Sequence, residues 1–166
     1  MAGKADFTPE EWQQVLGGVF MAGFAVTAAD PSGLWGLLKE TFASSRALME
    51  AKSSASANEL SKAIVSDLET PEGRTAAQEY VKSRLQGAKG EEIKQRAIDA
   101  LRAAAAIVDQ KAATDAAGFK GWLLAIAGNV AEASKEGGFL GFGGVPVSPA
   151  EKATLAEIAT ALETRA

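Results

Sequence analysis

The chain contains no cysteine and no histidine. Their joint absence removes disulfides, thiolate nucleophiles, Cys/His zinc sites, haem ligation through histidine and the Ser-His-Asp triad. A ferritin-like di-iron site is disfavoured too, because its Glu-x-x-His pairs have no histidine to use. A carboxylate-only site for Mg²⁺ or Ca²⁺ stays open in principle. Basic charge is also short: 17 Lys and Arg stand against 21 Asp and Glu, for a net charge of −4. A nucleic-acid surface needs clustered Lys and Arg to displace counterions from phosphates, so no nucleic-acid partner is expected. No run reaches the ~20 apolar residues that a spanning helix needs. The opening residues are few and polar, with no apolar run ahead of a cleavage site, which points to a cytoplasmic protein. Residues 1–7 read as a flexible terminus. No segment shows the period-two alternation of a strand.

What is present is apolar residues, at 47% of 166. A chain of this length suffices for one domain and can bury roughly 70% of its unfolded surface. The most conspicuous stretch is residues 15–29 (VLGGVFMAGFAVTAA), which carries no charge and almost no polar atom. As a helix it is apolar on every side, so it belongs in the middle of a bundle or in a membrane. A second uncharged run, residues 121–131 (GWLLAIAGNVA), mirrors it.

The helix signals come in chain order. Thr8-Pro9-Glu10-Glu11 combines a cap, a proline suited to the first helical position and a capping-box glutamate. That helix should run to about Ala29, where Asp30-Pro31 stops it. A second helix is expected with Leu34, Leu37, Leu38, Phe42, Leu48 and Met49 on one face, followed by a polar link over residues 53–57. A third places Leu60, Ala63, Ile64 and Leu68 together, and a fourth, opening at Thr70-Pro71-Glu72, places Ala77, Tyr80, Val81 and Leu85 together. Gly87 and Gly90 bracket a turn. The fifth helix carries Ile93, Ala97, Leu101, Ala104 and Val108, and the sixth runs from Thr114-Asp115 to about Ser134. The last starts at the capping box Ser148-Pro149-Ala150-Glu151 and aligns Leu155, Ile158, Ala159 and Leu162. The spacing therefore predicts an all-α, single-domain bundle of about seven helices with two central apolar helices.

Four features bear on function. Gly18, Ala22, Ala25 and Ala29 form one small-residue stripe, and Gly121, Ala125 and Gly128 form another. Such stripes let backbones approach closely, so the two apolar helices are expected to cross through them at the centre of the fold, the alternative being membrane helix association of the small-xxx-small kind. Second, residues 26–35 echo residues 130–139: an apolar helix ends in a small residue, a glycine and a large aromatic. This reads either as a duplicated unit or as two helix ends meeting the same capping need. Third, residues 137–147 form a Gly/Phe-rich loop in which Phe139, Leu140 and Phe142 either plug the bundle or project as an apolar finger. It lacks the Gly-x-x-x-x-Gly-Lys-Ser/Thr pattern of a phosphate loop. Fourth, Glu10, Glu11, Asp67, Glu69, Glu72, Glu91 and Glu92 sit at or near helix starts, which reads either as capping and complementarity to the helix dipole or as a divalent-cation site needing at least three converging oxygens. Trp12, Trp35 and Trp122 read as core or core-rim anchors, and Tyr80 as a hydrogen-bonding group without an obvious partner.

The tail, Val130-Ala131-Glu132-Ala133 followed by Val147-Ser148-Pro149-Ala150-Glu151 and the spaced Leu155, Ile158 and Leu162, resembles the tellurite-resistance TerB-like helical family. The resemblance spans about the last quarter of the chain. Where that family has an acidic Ala-Asp-Gly turn, this chain has Ala133-Ser134-Lys135-Glu136-Gly137 and a Phe/Gly insertion.

With no catalytic constellation and no cofactor fingerprint, the expectation is a non-enzymatic protein that binds a protein partner or itself. No cofactor and no metal are expected. The surface singled out is Phe139, Leu140, Phe142 and Trp35. Two alternatives differ in class: a membrane-responsive protein whose apolar helices are released at a bilayer, testable by liposome flotation, and a carrier of a small apolar ligand, which would need an internal cavity.

Overall fold

A computed structural model describes residues 2–29, 58–136 and 147–163. Among them are six α-helices and no strand: α1 (Pro9–Ala28), α2 (Glu59–Leu68), α3 (Pro71–Leu85), α4 (Glu91–Lys111), α5 (Ala113–Glu136) and α6 (Pro149–Ala161). They pack as one all-α bundle, as the helical spacing predicts. The expected second helix, at Leu34 to Met49, and residues 26–35 beyond Ala29 fall outside the described residues.

Helix α1 is the axis. Every residue from 15 to 27 is buried, and α1 touches each of the other five helices. Past its polar first turns, α1 has no polar face over residues 15–27, and such a stretch is stable in water only when neighbours cover it all round. Its start follows the sequence signal: Glu11 N–H donates to Thr8 Oγ1 at 3.2 Å, and Thr8 N–H donates to Glu11 Oε2 at 2.8 Å. The backbone N–H of Thr8, more than the nearby Lys111, holds the Glu11 carboxyl below its ordinary value of 4.5. A lowered folded-state value means that the contribution is present above about pH 4.5 and is lost as pH falls through the folded value. Urea midpoints measured from pH 6 to pH 3 should therefore fall, and Glu11→Gln should remove part of that fall.

The surrounding helices present the stripes their spacing predicts. Ala97, Leu101, Ala104 and Val108 of α4 are buried, with α1 as the chief neighbour of that helix. Leu60, Ile64 and Leu68 of α2, Ala77 and Tyr80 of α3, and Ile158 of α6 are buried as well. Ser148 and Glu151 form the expected capping box on α6. Lys94 on α4 joins α6, with Nζ 2.6 Å from Glu91 and 3.3 Å from Glu157. These partners, Glu91 first, raise its pKa above the ordinary lysine value. Gly87, at φ 75°, supplies the left-handed residue that turns α3 toward α4.

Residues 2–7, expected as a flexible terminus, make defined contacts. Residues Lys4–Asp6 form one 3₁₀ turn, and Phe7 is buried with its ring 5.3 Å from that of Trp12. Asp67, at the end of α2, fastens this terminus. Its carboxylate accepts from Trp12 Nε1 at 2.7 Å and from Lys4 Nζ at 3.0 and 3.1 Å. Its backbone carbonyl accepts from Thr70 N at 2.9 Å and from Thr70 Oγ1 at 2.6 Å. Gly73, in the first turn of α3, lies so close to that carbonyl that a Cβ there would strike it. One residue thus joins the chain terminus, α1, α2 and α3.

Candidate interaction surface

The crossing expected of the two small-residue stripes is not what the structure shows. Gly18 faces α4, where a Cβ built on it would lie 3.2 Å from Ala104 Cβ. Gly121 and Gly128 face away from α1, and no described atom lies within 4 Å of a Cβ built on either. Helices α1 and α5 do pack together, but through the other side of α5. There Ala116, Phe119, Trp122, Leu123, Ala127 and Ala131 are buried at spacings of three and four. The reason is area. Burying a large apolar side chain contributes about 1.5–3 kcal/mol, and burying a glycine contributes almost nothing. Where one helix carries a bulky stripe and a small stripe, the bulky one takes the core. The signal was in the sequence, in Phe119, Trp122 and Leu123.

The inner side of α5 is also fixed by charge. Lys120 is buried at 8% exposure, with Nζ 2.6 Å from Asp109 of α4 and 3.8 Å from Glu163 beyond α6. At the start of the helix, Asn58 Nδ2 donates to the Asp115 carbonyl at 3.0 Å, which ties α2 to α5. These contacts hold the inner side of α5 against α4, α2 and the end of α6.

The outward side is smooth. Ala117, Gly121 and Ala125 are exposed at intervals of four, Gly128 follows half-buried, and Leu124 borders them half-buried. No charged side chain falls on this strip before Glu132. Trp12 and Trp122 are core anchors as expected, at 3% and 4% exposure. Tyr80, which the sequence leaves without a partner, accepts from Arg84 Nε at 3.3 Å and lays its ring on Gly17. The surface singled out from the sequence, Phe139, Leu140, Phe142 and Trp35, lies outside the described residues, as does the Gly/Phe-rich loop up to residue 146. Among the described residues no group of three or more carboxylates is placed to hold a metal ion. No described helix is long and apolar enough to cross a membrane.

No family model matches the chain, and no curated protein or solved structure matches it.

The two outward glycines have an energetic signature. A glycine inside a helix is about 1 kcal/mol less favourable than alanine. Inside the bundle that loss is offset at Gly18 by close approach to Ala104. At Gly121 no described contact offsets it. Gly121→Ala should therefore stabilise the isolated protein by about 0.5–1 kcal/mol. Chemical denaturation checks this, and a loss of stability would show that the strip is already occupied within the chain.

Proposed function

We propose that the protein is non-catalytic and works by helix–helix association, with a protein partner or with a second copy of itself, along the outward strip of α5. The observation that supports this reading is the pair Gly121 and Gly128: two mid-helix glycines on a charge-free face, with no described contact that uses them. Small residues there allow an incoming helix to approach near the short end of the usual 8–10 Å interaxial range. The strip of Ala117, Gly121, Ala125 and Gly128 carries no charged side chain, and the nearby Lys120 is buried against Asp109, so docking strands no ion in a dry interface.

Ala125 is exposed, so an arginine there leaves the fold intact and places a long charged side chain across the strip. Light scattering on the eluting protein, over a range of concentrations, should show a mass above that of one chain for the wild type and a single-chain mass for Ala125→Arg. A photo-crosslinker at position 125 should join the same species. A wild type that stays monomeric at the highest concentration, and whose position-125 crosslinker captures no protein that Ala125→Arg fails to bind, would remove the proposal.

A further inference from the structure

Where α3 hands over to α4, a cleft of about 360 Å³ opens between Ser83, Arg84, Arg96, Asp99 and Ala100. Two of the residues that line it, Arg84 and Arg96, are cations, and like Lys82, Lys89 and Lys152 they stand in no ion pair among the described residues. Lys4, Lys62, Lys94, Arg102, Lys111 and Lys120 all stand within 4 Å of a carboxylate. Arg84 and Arg96 have no such partner among the described residues, although both lie on the same small surface. Each is nevertheless held in place. Arg84 Nε donates to the Tyr80 hydroxyl at 3.3 Å, and its guanidinium carbon lies 5.5 Å from the centre of the Tyr80 ring. Arg96 spans the end of α3, with Nη1 3.3 Å from the Arg84 carbonyl and 3.1 Å from that of Gln86. The single acid of the cleft, Asp99, is engaged by Arg102 at 2.9 Å.

Two neighbouring guanidinium groups repel one another, and a bound dianion turns that repulsion into attraction. The anchoring contacts use one nitrogen of each group, and a guanidinium carries five N–H donors in a planar fork. The remaining donors match the paired oxygens of a phosphate group, and because both side chains are already positioned, little ordering is lost on binding. We infer that the α3–α4 cleft is a binding site for a phosphate monoester dianion, gripped by Arg84 and Arg96. The site does not involve the α5 strip and stands or falls independently of it.

The test is a titration of the full chain with sodium phosphate at pH 7.5, with ionic strength held constant by sodium chloride and side-chain Nε–H and backbone amide resonances followed by NMR. Saturable shifts should concentrate on residues 80–87 and 96–100. Arg84→Gln, an exposed position outside the core, should weaken binding by about tenfold or more. Asp99→Asn should strengthen it. Arg84→Lys, which keeps the charge without the fork, should fall between wild type and Arg84→Gln. Shifts that do not saturate, equal shifts with sodium acetate, or an affinity that Arg84→Gln leaves unchanged would each overturn the assignment.

Discussion

Replacing Gly17 with alanine is expected to destabilise the protein by about 2 kcal/mol, even though alanine is the better helix former. A Cβ at this position would run into the Tyr80 ring, and Tyr80 is itself buried at 6% exposure. The atoms it meets belong to the near edge of the ring, not to the tip of a flexible chain. The ring is further held by its hydroxyl contact with Arg84. Relief therefore requires α1 and α3 to separate, and both belong to the core. The gain in helix propensity, about 1 kcal/mol, is outweighed by overpacking at the upper end of its usual range, about 3 kcal/mol. The melting temperature should fall by about 4–8 °C, given about 2–4 °C per kcal/mol at this chain length. The double variant Gly17→Ala/Tyr80→Ala should be more stable than the sum of the two single changes predicts, since removing the ring removes the clash. Additivity within about 0.5 kcal/mol would rule this account out. The contrast with Gly121→Ala isolates the cause: one substitution, two helix interiors and opposite signs, decided only by what lies against the missing Cβ.

Asp67→Ala should lower stability by about 2–3 kcal/mol, most of it through one atom. Trp12 is 3% exposed, and its indole N–H donates to Asp67 Oδ2 at 2.7 Å. Without the carboxylate this donor is left in a dry setting, a loss of about 1–3 kcal/mol. The Lys4 ion pair adds little, because the Lys4 side chain is 62% exposed and solvent screens the interaction. Lys4→Ala should accordingly change the urea midpoint only slightly. Asp67→Asn retains an acceptor for the indole and should recover most of the loss. On a Trp12→Phe background, where no donor remains, Asp67→Ala should be much milder. Equal effects on the two backgrounds would show that Asp67 acts through its other contacts at the α2–α3 junction.

Much of the fold follows from local patterns. Thr8 with Glu11, Thr70 ahead of Pro71, and Ser148 with Glu151 mark helix starts, because a cap satisfies backbone N–H groups within a few residues and needs no distant partner. Leu60, Ile64 and Leu68, like Ala97, Leu101, Ala104 and Val108, mark inward faces, because helical spacing gathers them on one side whatever covers them. The apolar run at 15–27 marks a helix that must be hidden from water on every side, and the bundle provides that cover.

Pairings between distant residues were not legible in the same way. The glycines of α1 and α5 suggested that the two helices meet through them, yet Gly18 meets Ala104, and Gly121 and Gly128 face outward. Gly17 gives way to Tyr80, Trp12 reaches Asp67 across 55 positions, and the unpaired arginines 84 and 96 come together at one turn. What the sequence alone determined was the six described helical segments, most of their starts and the buried sides of the amphipathic ones, all of which depend on contacts within about one helical turn, whereas α5, apolar on both sides, left its buried side open. Which side faces which neighbour was decided only by tertiary packing, because a glycine or an aspartate is compatible with many partners, and only the competition among whole faces for the limited interior selects one.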